Sequence, residues 1–163
     1  MSRPRLNFMP SMRRFAGREQ GIAMTAYDSN NIFAKILRGE IPCHRVFEDD
    51  VALAFMDIMP RCDGHCLVIP KTAARGLLDM PPDALAALMP RVQKLAQATV
   101  KAFDADGLTL QQFNEPAGGQ IVFHLHFHIL PRRDGVALRP HTGEMARPEV
   151  LAGHAQRVRV ALG

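Results

Sequence analysis

The 163 residues predict a single α+β domain, an antiparallel sheet with a short N-terminal helix and one long helix. Three observations carry that expectation. Short apolar runs bounded by turn residues recur between Arg45 and Ile69, a helical repeat runs from Leu85 to Phe103, and two further extended runs flank a glycine-bearing loop at 114–120. The composition agrees: 47% hydrophobic and 22% charged residues, with Gly 12 and Pro 12, fit one globular domain and exclude disorder or collagen-like repeats. No stretch reaches the roughly 20 apolar residues of a membrane span, and a chain of this size buries roughly 70% of its unfolded surface.

The elements follow in order. Ser29, Asn30 and Asn31 offer helix N-caps, Ile32, Phe33, Ile36 and Leu37 recur at helical spacing, and Gly39 with Pro42 ends the run. Arg45 to Glu48 and Val51 to Met56 read as strands around the Asp49, Asp50 turn, and Cys66 to Ile69 as a third, together a small meander. Pro81, Pro82 and Asp83 open the long helix. Its expected apolar face is Leu85, Leu88, Met89, Val92, Leu95, Ala96, Thr99 and Phe103, with a kink or late start near Pro90. Leu108 to Phe113 and Ile121 to Leu130 form a strand pair, and from about residue 133 a tail or a helix over Pro148 to Leu162 closes a domain spanning 24–163.

Charge is uneven. Residues 1–23 hold five arginines and one acid, 5 − 1 = +4, which equals the formal charge of the whole chain. The remainder is neutral, so a nucleic-acid partner is not expected. The basic stretch lacks a secretory h-region, and two prolines and little serine set it apart from a transit peptide. It is expected to be a disordered leader or an upstream start before Met24. Cys43, Cys62 and Cys66 are an odd set and point to a reducing, cytoplasmic setting. The run CDGHC lacks metal-ligand spacing, and Cys66 reads as a buried strand residue.

The chemistry concentrates between Ile121 and Leu130. One parity reads Ile, Phe, Leu, Phe, Ile and the other Val, His, His, His, Leu. On a strand this presents His124, His126 and His128 on one face, each about 6.7 Å from the next. Such a row could chelate a metal, or one imidazole could serve as a nucleophile. The preceding Asn114 to Gln120 loop contains Gly118 and Gly119, whose amides can cradle an oxyanion, and phosphate there favours the nucleophile.

The run GGQIVFHLHFHILPR resembles the signature of the histidine triad (HIT) family, and NIFAKILRGEIPCHRVFEDDVALAFMDIMPRCDGHCLVIPK resembles its Hint-type branch; together the likeness covers about Asn31 to Arg132. The resemblance implies about five strands with helices on one face, a two-fold homodimer, and hydrolysis or transfer at the α-phosphate of purine nucleoside monophosphate derivatives such as phosphoramidates. It implies His126 as the nucleophile that becomes nucleotidylated, His124 as its orienting residue through the backbone carbonyl, and His128 with His65 lining the phosphate and moving protons. Ile32, Phe33, Ile36, Phe55, Met56, Ile58 and Leu67 would surround the base, and Asp57 would take the ribose hydroxyls. Asn114, Gly119 and Gln120 would meet phosphate or leaving group. No metal or other cofactor is implied. Many members carry Ser or Thr where Ile121 stands, so only its backbone amide could serve here, and Asn31 and Ala34 occupy the positions of the cysteine pair of zinc-containing members. A dinucleoside polyphosphate hydrolase and a nucleotide-responsive interaction protein are the alternative functions.

Overall fold

In the computed structural model, which describes residues 25–140 and 143–163, the chain runs α1 (Ile32–Leu37), β1 (Arg45–Glu48), β2 (Ala52–Met56), β3 (Cys66–Pro70), α2 (Pro82–Phe103), β4 (Gly107–Gln111), β5 (Phe127–Arg132) and α3 (Pro148–Leu162). The expected leader, residues 1–23, lies outside the described residues. The strands form one antiparallel sheet in the order β1-β2-β3-β5-β4. The predicted meander is β1-β2-β3, and the predicted second pair, β4-β5, joins it through β3.

Side-chain alternation along the central strands sorts two cores. Ala52, Ala54 and Met56 of β2, with Cys66 and Val68 of β3, face α2 and α3, whereas Leu53, Phe55, Leu67 and Ile69 pack with Phe33 and Ile36 of α1. The helices therefore do not share one face. α1 lies opposite the other two because its six residues carry a separate apolar stripe, which only the second parity of β2 and β3 can cover. Asn31 starts α1 by accepting from Phe33 N at 3.0 Å and Ala34 N at 2.9 Å.

Helix α2 begins at Pro82 and continues through Pro90 with no late start. Pro90 and Ala86, the residue four back whose carbonyl loses its donor, both sit on the exposed side, where water can take that bond. Leu88, Val92, Leu95, Thr99 and Phe103 are buried as expected, but Met89 is 37% exposed. The C-terminal segment is a helix: Leu151, Ala155 and Val158 recur at helical spacing and are buried.

The loop from β2 to β3 fixes the site geometry at Gly64. Its φ is +81°, and an added Cβ would lie 2.5 Å from two atoms of the Phe103 ring. Gly64→Ala is expected to destabilise the fold by about 2 kcal/mol or more, since left-handed strain and overpacking add. Urea unfolding measures the loss, and a variant within about 0.5 kcal/mol of the parent would show that the loop accommodates a side chain.

Candidate active site

A cavity of about 380 Å³ opens on the α1 side of the sheet. Its apolar end is built by Ile32, Phe33 and Ile36 of α1 with Phe55 and Leu67. Asp57, His65, His126 and His128 form its polar wall, and Ile58, Gly119 and Ile121 complete the rim. Met56 borders the cavity, but its side chain belongs to the opposite core, where Cys66 Sγ lies 3.6 Å from its sulfur.

The strand bearing the histidines is shorter than predicted. β5 starts at Phe127, so His124 and His126 precede it, and the buried parity begins at Leu125. Ile121 is 67% exposed, and Phe123 stacks under Arg75, whose guanidinium carbon is 3.8 Å from the ring centroid. The three imidazoles stay on the α1 side, where Phe33 meets both His124 and His126 edge-on, but two of them line the cavity. His126 and His128 share the cavity, their ring centroids 4.9 Å apart, while the His124 ring turns away to Tyr27 and Pro70.

Hydrogen bonds to groups of fixed polarity define the tautomers. His126 Nδ1 is 2.7 Å from the His124 carbonyl, which can only accept, so Nδ1 carries the proton and Nε2 the lone pair. His124 Nε2 donates to Pro70 O at 3.0 Å, and its Nδ1 accepts from the Tyr27 hydroxyl at 2.6 Å. Burial pushes His124 down to about 4, keeping it neutral near pH 7. The Arg61 backbone N–H donates to His65 Nδ1 at 3.2 Å, so His65 Nε2–H donates to His128 Nδ1 at 2.9 Å. The remaining N–H of His128 is then on Nε2.

Asp57 Oδ1 accepts from Met59 N at 2.8 Å, and Oδ2 lies 3.5 Å from His65 Nε2 and 3.9 Å from His128 Nδ1. Donor atoms of Asp57, His65 and His128 all fall within 4.8 Å of one another, the group among the described residues that a divalent cation could use. No thiolate supplements it. Burial pushes Cys62 up to about 11 and Cys66 to about 12, and Asn31 and Ala34 offer no sulfur.

The glycine loop is braced rather than open. Gln120 is buried and does not line the cavity: its Oε1 accepts from Glu115 N at 2.8 Å, and its Nε2 donates to Arg75 O at 2.6 Å and Val122 O at 3.0 Å. Asn114 also stands outside the lining, its Oδ1 accepting from Leu77 N at 2.7 Å. Glu115 holds φ +60° and ψ 166°, a region almost reserved for glycine. Its carboxylate grips Arg75 twice, at 2.6 and 3.0 Å, which fixes the strained turn.

Sequence reasoning missed Tyr27, Arg75, Glu115 and Phe113, whose ring centroid lies 5.6 Å from that of His128. Tyr27 is the chain's single tyrosine, the one signal available beforehand. The others act through contacts between residues on different elements or through an unusual φ, which no local pattern announces.

The chain belongs to the HIT family: the HIT domain profile matches residues 38–135. It is 42% identical over 103 residues to the adenylylsulfatase HINT3 of Arabidopsis thaliana, covering 63% of this chain but 52% of that protein, about half its length. It is 38% identical over 112 residues to the adenosine 5'-monophosphoramidase HNT1 of Saccharomyces cerevisiae, covering 69% of this chain and 68% of that one. A solved Hit-like protein of Bartonella henselae superposes with a TM-score of 0.81 at 52% identity, over 84% of this chain and 99% of that one.

The position of His124 sets a pH dependence. Its folded value, about 4, lies below the ordinary value of 6.5, so between these limits the unfolded chain binds the proton more readily. Its stabilising contribution is present above about pH 6.5 and is lost as pH falls toward 4, on the order of 3 kcal/mol in all. Denaturation midpoints compared with those of His124→Gln should show the steeper decline in the parent; parallel profiles would contradict a buried neutral ring.

Proposed function

We propose that the chain is a HIT-family hydrolase cleaving at the α-phosphate of purine nucleoside monophosphate derivatives, phosphoramidates foremost, through a covalent nucleotidyl intermediate on His126. The observation that carries this is the 2.7 Å bond from His126 Nδ1–H to the His124 carbonyl, in a ring that walls a cavity with an apolar end and a carboxylate. The phosphoramidase and adenylylsulfatase relatives, which act on adenosine phosphate derivatives by name, support the same substrate class.

In this reading the purine lies among Ile32, Phe33, Ile36, Phe55 and Leu67, where burial of its faces supplies affinity. The Asp57 carboxylate, whose Oδ1 accepts the Met59 amide, takes the ribose hydroxyls. His126 Nε2 attacks phosphorus, and the bond from phosphorus to the leaving nitrogen breaks. That nitrogen departs with a proton from the His65–His128 pair, beside which the Asp57 carboxylate stands. Water then attacks phosphorus, His126 is released, and the water's proton returns to the pair. At the mouth, Gly119 and the Ile121 backbone amide face the phosphate, and the exposed Ile121 side chain offers the leaving group an apolar edge where other members have a hydroxyl.

A homodimer belongs to the same proposal. β4 is a sheet edge with Leu108 and Leu110 exposed, a strand suited to cover by a second copy. The three cysteines are free, as a reducing cytoplasm would keep them, and no described helix is long and apolar enough to cross a membrane.

With adenosine phosphoramidate as substrate, His126→Ala is expected to lower kcat by ~10³-fold or more while retaining AMP binding. Radiolabelled nucleotide should remain on the parent protein after acid quench and be absent from the variant; equal turnover by the two would sink the nucleophile assignment. Asp57→Ala should raise KM about tenfold or more through lost charged hydrogen bonds to the ribose. Product analysis with diadenosine polyphosphates separates the dinucleotide-hydrolase alternative.

A further inference from the structure

A second cleft, of about 330 Å³, lies outside the catalytic cavity, between the 61–63 loop, the end of α2 and the 131–139 segment. Arg61, Arg132, Arg133, Arg139 and Arg157 line it, with Asp63 the one acid among the lining residues. The guanidiniums are held mainly by neutral carbonyls. Arg139 Nε donates to Pro60 O at 3.0 Å, Arg132 Nη2 to Val136 O at 2.9 Å, Arg133 Nη2 to Phe103 O at 2.7 Å and Arg157 Nη2 to Ala102 O at 2.6 Å. Arg157 also stacks over the Phe103 ring, 4.3 Å from its centroid.

Carbonyl acceptors fix orientation without cancelling charge. Among the described residues two carboxylates approach the cluster: Asp63 at 2.9 Å from Arg139, and the exposed Asp104 at 3.8 Å from Arg133. The balance is 5 − 2 = +3 within one concave site. Residues 24–163 carry equal numbers of basic and acidic side chains, so this is a local concentration of charge and not the spill-over of a basic protein. Each guanidinium has five N–H groups in a fixed fork suited to phosphate oxygens, and the bonds above leave most of them available. A volume of about 330 Å³ exceeds the roughly 30 Å³ share of a water molecule tenfold, enough for a pyrophosphate group.

The cleft is joined to the catalytic cavity through one residue. Arg61 lines both, and its side chain donates to Arg139 O at 3.1 Å while the Arg139 N–H donates to Arg61 O at 2.8 Å. The Arg61 amide is the donor that sets the His65 ring.

We propose that this arginine cleft is a second binding site, for a phosphate-class polyanion, whose occupancy steadies the loop carrying His65. Inorganic pyrophosphate and the polyphosphate tail of a nucleotide share the chemistry that the five guanidiniums select.

The test uses the full chain at constant ionic strength. Inorganic pyrophosphate is expected to raise Tm saturably, and the rise should persist with saturating AMP, which under the function proposed above occupies the other cavity. Arg133→Gln with Arg157→Gln, neither of which hydrogen-bonds to the 61–65 segment, should weaken pyrophosphate binding at least tenfold by calorimetry while leaving AMP binding intact. A parallel titration with ATP identifies the source: tighter binding with the same arginine dependence marks a nucleotide tail, and weaker binding marks free pyrophosphate. No saturable rise, competition by AMP, or indifference to the double variant overturns the proposal. Because the readout is binding and not turnover, its failure leaves the catalytic reading to be judged by His126→Ala alone.

Discussion

The hydrogen bond from His126 Nδ1–H to the His124 carbonyl is the constraint on which the site depends. A neutral imidazole is a nucleophile at one nitrogen only, and a backbone carbonyl at 2.7 Å decides which one, because it has no proton to give. That carbonyl stays in place because the residue bearing it is itself pinned. The His124 ring is fully buried between the Tyr27 hydroxyl and Pro70 O, and desolvation keeps it uncharged. Its ring holds position and its backbone does the orienting.

A similar division of labour runs through the loops around the cavity. Gly64 lets the chain turn against Phe103, so that His65 reaches His128, and the Arg61 amide sets the ring's polarity. On the other rim, Arg75 holds Glu115 in a conformation that an isolated chain would abandon, and Gln120 ties the same turn to the backbone at 75 and 122. Polar groups near the cavity are thus spent on geometry. Asn114 and Gln120, residue types that suggest ligand contact, fasten the loop.

Much of this was legible from residue order because it depends on local rules. Asn31 as cap, the α2 stripe, the three meander strands and the α3 boundaries follow from capping chemistry and periodicity, which act over a few residues. The cavity-facing set of Phe33, Ile36, Phe55, Asp57, Leu67, His65, His126 and His128 was legible through the family motif and its flanking blocks. The alternation holds from His124 onward, with Leu125, Phe127 and Ile129 in the opposite core, and fails before it at Ile121 and Phe123. Residues 121–126 have no ladder partner to enforce a two-residue period, so backbone bonds such as Leu125 N to Ala74 O direct the chain instead.

Sequence by itself determined the element types, the charge balance of residues 24–163 and the HIT motif, because each is written in residues adjacent along the chain. Tertiary structure decided which faces the helices cover, which of the three imidazoles enter the cavity, and where five arginines from separate segments converge. Those outcomes rest on parity between strands and on contacts between residues tens of positions apart. Their energies exist only once the sheet has closed.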